Sequence, residues 1–232
     1  MVIATIVVPV KDEDVKIVTQ LIKDTYTTFH GKVDIEVVDD GSNPPCPVSN
    51  LRHPVSLGYG AALKAGIRQA RGKWIITMDG DGQHRIRDAQ RLLEFIGDFP
   101  ECAMVIGDRR IKEQTFKRWA GRKALNWFAT LMSNRWIGDL NSGLRIFRRE
   151  LALSYEPILC DQFSYTTTLT MSILTDGHKV DWLPIRVLDR EAGESKVHLL
   201  RDGLRTVYYI FRIGFALRTR TIRAWWRKWK NE

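Results

Sequence analysis

The chain of 232 residues carries 36 Lys and Arg against 27 Asp and Glu, a formal net charge of +9. Hydrophobic residues make up 44% and charged residues 27%, which excludes a mainly disordered chain and supplies one sizeable core, or one domain with a short appendage. The longest charge-free run, residues 162–175, covers 14 threonine-rich positions, short of the ~18 or more apolar residues a bilayer span needs.

Residues 1–10 are apolar but carry no basic leader and no cleavage site, so they read as a first strand and not as a signal peptide. The β-branched run 3–8 stops at Pro9. Helical spacing follows over 14–29 through Val15, Val18, Leu21 and Ile22. A second strand, 33–38, closes on Asp39-Asp40-Gly41-Ser42. The Pro-rich stretch 43–57 reads as loop with one short strand. A helix is expected over 60–71, ended by Gly72, and a third strong strand over 74–78, ending at Asp79. Alternating strand and helix signals imply a largely parallel sheet covered by helices. Further on, the patterns give helix 86–96, strand 103–106, helix 116–132 and strand 143–147. Residues 163–175 fit helix or strand, because threonines weaken the helical pattern. Residues 180–187 read as a strand interrupted by Pro184, hence an edge. A polar loop, 189–196, and one or two helices complete the chain. The scattered Cys46, Cys102 and Cys160 suit reduced thiols inside a cell, without a disulfide framework or a zinc site.

The positive charge is concentrated. Residues 201–232 hold nine Lys and Arg against two acids, a local +7, with Tyr208, Tyr209, Phe211, Phe215, Trp225, Trp226 and Trp229 among them. Residues 109–123 hold seven against one, a local +6, with Trp119 inside and Trp127 and Phe128 just beyond. Basic, aromatic, helix-compatible stretches suit an anionic membrane surface. They equally suit helices packed on the domain, or against a membrane-protein partner. No helix-turn-helix, finger or RNA-module signature accompanies the charge, so nucleic acid is not the expected partner.

The pattern richest in chemistry is Asp79-Gly80-Asp81-Gly82-Gln83-His84, directly after the third strand. Ligands of open α/β sheets bind beyond strand carboxyl ends. Two aspartates two positions apart point the same way in an extended segment, and such hard oxygens suit Mg²⁺ or Mn²⁺ completed by substrate phosphates. Asp39-Asp40 forms a second acidic turn on the same edge, where a carboxylate can accept from a ribose hydroxyl or a base N–H. Pro9, with Glu13 four residues on, marks a third strand end. His84 could reach a phosphate, although a lone histidine is more often structural.

These segments together resemble a known family. Val8-Pro9-Val10-Lys11-Asp12-Glu13, Val38-Asp39-Asp40-Gly41-Ser42, Leu57-Gly58-Tyr59-Gly60-Ala61-Ala62 and the Asp79–His84 run resemble the family 2 glycosyltransferases of GT-A fold, in particular the dolichyl-phosphate mannose synthase-like, polyprenyl-phosphate subgroup. Gly107-Asp108-Arg109-Arg110 matches its G-S-R, Asp139-Leu140-Asn141-Ser142-Gly143-Leu144-Arg145-Ile146-Phe147 its D-x-x-S-G-F-R-x-F, and Arg190-Glu191-Ala192-Gly193-Glu194-Ser195-Lys196 its R-x-x-G-x-S-K. The resemblance implies an α/β GT-A (Rossmann-like) domain over 1–200, with a nucleotide-sugar half at 1–107, an acceptor half at 108–200 and a basic helical tail at 201–232. Its implied activity is metal-dependent, inverting transfer of a sugar from a nucleotide-sugar to a polyprenyl phosphate, by an enzyme associated peripherally with the cytoplasmic face of a membrane.

The resemblance also assigns roles. Pro9, Glu13, Asp39, Asp40, Asp79, Gly80 and Gln83 would bind the nucleotide-sugar, and Asp79 and Asp81 would meet Mg²⁺ or Mn²⁺. Asp81, Arg109, Arg145 and Asp139 would be catalytic, with Asp139 the base if the acceptor were a hydroxyl. Ser142, Arg190, Ser195 and Lys196 would take acceptor or pyrophosphate. The chain departs from the family pattern at 163–168, where threonines replace a common Glu, and at Asp108, which replaces a small Ser. Many relatives also carry C-terminal transmembrane helices, for which the basic tail is the expected substitute. The rival readings are a hydroxyl-directed glycosyltransferase, a nucleotidyltransferase and a non-catalytic membrane-surface module of the same fold.

Overall fold

This computed structural model describes residues 2–109 and 137–188 without interruption, together with positions 123, 126, 127, 129–131, 207–209, 211, 212 and 215. Most of the expected helix 116–132, the 189–196 loop and most of the tail therefore lie outside the described residues.

Seven strands form one sheet: β1 (Ala4–Val10), β2 (Val33–Asp40), β3 (Leu51–His53), β4 (Trp74–Thr77), β5 (Cys102–Asp108), β6 (Arg145–Arg148) and β7 (Lys179–Pro184), in the order β3-β2-β1-β4-β6-β5-β7. Only β6 runs antiparallel to its neighbours, β4 and β5; the other pairs are parallel. The sheet is thus mostly parallel, as expected, and β7 with its proline sits at the edge beside β5. Among the described residues, the continuous α-helices that cover the sheet are α1 (Val15–Phe29), α2 (Tyr59–Gln69), α3 (Ile86–Asp98), α4 (Arg149–Tyr155) and α5 (Tyr165–Thr175).

Strand alternation divides the core. On one face Val7, Val38, Ile75, Met104 and Phe147 pack with Leu63 and Ile67 of α2 and Leu169 and Ile173 of α5. On the other, Ile6, Val8, Val37, Ile76 and Ile146 pack with Val18 and Phe29 of α1 and Leu92 and Ile96 of α3. Asp14 caps α1, its carboxylate accepting from the Lys16 N–H at 2.7 Å, which is the reason acidic residues favour that position.

The ambiguous stretch 163–175 resolves as the helix α5, buried from Tyr165 to Leu174. Its hydroxyls bond back along the helix, Thr170 Oγ1 to the Thr166 carbonyl at 2.8 Å and Ser172 Oγ to the Thr168 carbonyl at 2.9 Å. A poor helix former is tolerated here because burial on the sheet supplies the stability and these bonds satisfy its polar atoms. α4, a short helix that follows β6 with no intervening loop, was not anticipated from the pattern.

Candidate active site

The chain leaves β1 for β2 and β3 on one side, then crosses by α2 to β4 on the other. A sheet that changes direction in this way opens a crevice at its strand carboxyl ends, here beyond Val10 and Thr77. The first two turns are stitched together. Asp12, at φ 51, donates its N–H to Ser42 Oγ at 2.9 Å and accepts from the Asn43 N–H at 2.9 Å. Pro9 is buried in β1 opposite Val38, and Glu13 is partly exposed just before the α1 cap.

Asp39 and Asp40, expected to hold a nucleoside, are each hydrogen-bonded within the loops that follow them. Asp39 accepts from the backbone of Ser42 at 2.8 Å and Cys46 at 3.0 Å, and pairs with Arg52 at 3.3 Å. Asp40 accepts from His53 at 2.8 Å, Ser56 Oγ at 2.8 Å, and the N–H groups of Leu57 and Gly58, both at 2.9 Å. Four donors saturate a carboxylate. Burial works against both charges, but the bonds outweigh it and hold both carboxyls below their ordinary value. The bonds have a simple cause: two turns without regular structure need their amides satisfied, and the adjacent carboxylates do it.

Asp79 occupies the end of β4. Its Oδ1 accepts from the Tyr59 hydroxyl at 2.9 Å, and its Oδ2 lies 3.4 Å from His84 Nε2. Burial opposes its charge, yet the His84 contact, the Tyr59 bond and the nearby Arg109 charge together keep the carboxyl below its usual range. Gly143 makes room for it, since a Cβ there would stand 2.2 Å from Asp79 Oδ2. Asp81 is 4% exposed and accepts from the Gln83 N–H at 3.1 Å, which fixes the turn. Gly80 lies against the end of β1, where a Cβ would meet Val10 at 2.7 Å. Gln83 and His84 pair with the far end of the chain: the Leu188 N–H donates to the Gln83 carbonyl at 2.9 Å, and His84 bridges Val187.

The second half of the chain contributes the 137–144 loop, tied to β4 by Thr77 Oγ1 donating to the Gly143 carbonyl at 2.7 Å. There Arg109 grips Asp139. Arg145 and Ser142 depart from expectation. Arg145 is 0% exposed. Its guanidinium donates to the carbonyls of Leu140 at 3.2 Å, Ser142 at 3.1 Å and Thr166 at 2.9 Å, and to Thr170 Oγ1 at 2.8 Å. Burial lowers its pKa to about 10. Ser142 is equally buried and donates weakly inward to the Leu144 carbonyl. Arg145 therefore braces the loop from beneath, because α5 offers it the Thr166 carbonyl and the Thr170 hydroxyl as acceptors. Arg190, Ser195 and Lys196 lie outside the described residues.

Among the described residues no three His, Cys, Asp or Glu side chains converge as a complete metal cage. Mg²⁺ and Mn²⁺ seldom need one, since substrate phosphates and water complete their shells. Each Asp79 oxygen retains a lone-pair site beyond its Tyr59 or His84 contact. The Asp79 carboxylate therefore fits one ligand position of such an ion. Tyr59 was quoted in the sequence only as part of its glycine-rich motif; nothing in its spacing signals a contact with Asp79.

A mostly parallel α/β sheet with a carboxylate turn at its switch point and an arginine close by is the architecture of GT-A nucleotide-sugar transferases. Residues 5–156 match the family described as Glycosyl transferase family 2, and the chain belongs to that family. An undecaprenyl-phosphate mannosyltransferase of Micrococcus luteus is 28% identical over 179 residues, 72% of this chain and 71% of that protein. A polyprenol monophosphomannose synthase of Mycolicibacterium smegmatis is 29% identical over 189 residues, again 72% of this chain and 71% of that protein. In fold the chain is similar to glucosyl-3-phosphoglycerate synthase of Mycobacterium tuberculosis, solved with Mn²⁺, UDP-glucose and phosphoglyceric acid, with a TM-score of 0.67, 16% identity, and coverage of 91% of this chain and 79% of that one.

Proposed function

We propose that this glycosyltransferase moves a sugar from a nucleotide-sugar to a polyprenyl phosphate, with inversion, using Mg²⁺ or Mn²⁺ held by Asp79 and Asp81. The observation that carries the acceptor is the Arg109–Asp139 pair. Asp139, the expected base for a hydroxyl acceptor, has both oxygens taken by a guanidinium. A lipid phosphate is already ionised near neutral pH and needs no such base. The two relatives named above act, by name, on polyprenyl lipids, which supports the same acceptor class here.

The bound ion supplies charge stabilisation to the departing nucleotide diphosphate. The protein does the rest. Asp79 stays ionised and with Asp81 sets the diphosphate at the β4 end, next to Gln83. Arg109, oriented by Asp139, presents positive charge toward the phosphates. In this reading residues 1–107 hold the donor and 108–200 the acceptor, with Arg190, Ser195 and Lys196 closing on phosphate from the segment after Leu188. Residues 201–232 rest on an anionic membrane surface at its cytoplasmic face. Val207, Tyr208, Phe211 and Phe215 are all exposed at helical spacing, and no helix among the described residues is long and apolar enough to cross a membrane.

The test is product analysis with a radiolabelled nucleotide-sugar, with and without polyprenyl phosphate. Label that partitions into organic solvent only when the lipid phosphate and a divalent ion are present is the expected result. Label that stays in water overturns the acceptor assignment.

A further inference from the structure

Asp79 is held at both oxygens by side chains from separate parts of the chain, and neither contact belongs to the Asp-x-Asp triplet itself. Tyr59 is the first residue of α2, and its hydroxyl stands 2.9 Å from Oδ1. His84 Nε2 stands 3.4 Å from Oδ2. Because Nε2 faces a carboxylate, it is the nitrogen that carries the proton. The other nitrogen, Nδ1, is buried without a partner among the described residues, so among them the Asp79 contact is the one polar interaction of the ring.

Tyr59 is itself placed with care. The Gly58 N–H before it donates to Asp40 Oδ2 at 2.9 Å. Gly58 has φ 116, and a Cβ there would stand 2.5 Å from the Asp161 carbonyl oxygen. The Tyr59 ring stacks on Phe163, with centroids 5.5 Å apart. Asp40 thus reaches Asp79 through Gly58 and Tyr59, which links the two acidic turns by structure and not by a shared ligand.

We propose that Tyr59 and His84 are positioning residues for the cation site: together they fix the Asp79 carboxylate in one orientation, so that a divalent ion arriving with a nucleoside diphosphate meets a preformed ligand. The inference rests on the glycosyltransferase reading and adds to it two residues outside the metal-binding pair. Residues that orient a ligand act on metal affinity, commonly by about 10–100-fold, and only through the metal on turnover.

The experiment titrates Mn²⁺ into the full chain in the presence of UDP, and separately GDP, reading free Mn²⁺ by electron paramagnetic resonance. Tyr59→Phe and His84→Leu are compared with wild type and with His84→Gln, whose amide keeps an N–H donor near the Nε2 position. Mn²⁺ affinity is expected to fall about tenfold in Tyr59→Phe and His84→Leu. His84→Gln should recover most of the loss, and the melting temperature without ligand should move little. In turnover the KM for Mn²⁺ rises, while kcat at saturating Mn²⁺ stays near wild type. If wild type binds Mn²⁺ with either nucleotide and both variants bind it within twofold of wild type, positioning is refuted and the functional reading stands. If wild type takes up Mn²⁺ with neither nucleotide, both fail. Should Tyr59→Phe not fold, the His84→Leu and His84→Gln pair decides: equal affinities in the two refute the inference.

Discussion

Arg109 donates to both oxygens of Asp139, from Nε to Oδ2 at 2.7 Å and from a terminal nitrogen to Oδ1 at 3.1 Å. The bidentate geometry fixes the guanidinium plane as well as its position. The Asp139 side chain is almost wholly buried, while that of Arg109 is about a quarter exposed, so the aspartate anchors and the arginine presents.

Asp139→Asn therefore separates anchoring from proton abstraction. The amide keeps the shape but loses one acceptor and the charge. The acceptor KM is expected to rise about tenfold, with a stability loss of about 2 kcal/mol, below the ~3–5 kcal/mol typical of a fully buried pair because Arg109 is partly solvated. A general base would behave differently, with kcat falling by about 10²–10⁴ at unchanged acceptor KM. Steady-state kinetics and a denaturant titration distinguish the two.

Arg145→Met tests the brace. Removing it leaves the carbonyls of Leu140 and Ser142 without this donor, at about 1–3 kcal/mol for each one that stays buried and unpaired, while the Thr166 carbonyl keeps its Thr170 hydroxyl. A fall in melting temperature of about 8 °C is expected for a chain of this size, from a loss of about 3 kcal/mol. An unchanged melting curve with activity abolished would return Arg145 to the catalytic role first expected of it.

Gly143→Ala drives a methyl group into Asp79. With a Cβ at 2.2 Å from Oδ2, the carboxylate has to leave its Tyr59 and His84 contacts, costing about 1–3 kcal/mol of packing. Mn²⁺-dependent nucleotide binding should be lost in an isothermal titration, while circular dichroism shows the fold retained.

Acid stability follows from Asp39, Asp40 and Asp79. In each, burial works against the charge but hydrogen bonds and nearby positive groups prevail, and the folded value lies below the ordinary 3.8. Such groups bind fewer protons folded than unfolded, so their stabilisation is complete above 3.8 and is lost as pH falls through the folded values. Thermal melts are expected to be flat above about pH 5 and to drop steeply below 3.8. Asp40→Asn, which removes one of the three, should flatten that drop.

Phe211→Asp with Phe215→Asp places charge on the exposed stripe of the tail. Flotation with anionic vesicles should fall sharply, with transfer to a short, water-soluble prenyl phosphate retained. Undiminished flotation would remove the tail as the anchor.

Much of this architecture was legible in the sequence. A continuous β-branched run gives β1 because buried parallel strands admit little else, and Pro184 marks the edge because it cannot donate to a neighbour. The Asp79 turn was legible because aspartate and glycine repeat within a few residues of a strand end. What escaped depended on contacts distant in the chain. The bonds that Asp39 and Asp40 accept from amides of residues 42–58 depend on how those loops fold back over the acidic turn. Arg145 looks like a phosphate clamp until α5 is laid against it. The reversal of β6 leaves no local mark at all, since its four residues suit a strand of either direction.

That reversal ties the two halves of the molecule close to the Asp79 turn. Arg145 lies in register with Thr77, two residues before Asp79, and the same strand hydrogen-bonds to β5 on its other side. A recombinant that exchanged acceptor segments between relatives at residue 108 would pull a central slat out of the sheet that carries the donor. Viable chimeras should instead join beyond Arg148, so that a new acceptor preference is acquired through α5 and the segments after it while the strand beside the aspartates stays with its original scaffold.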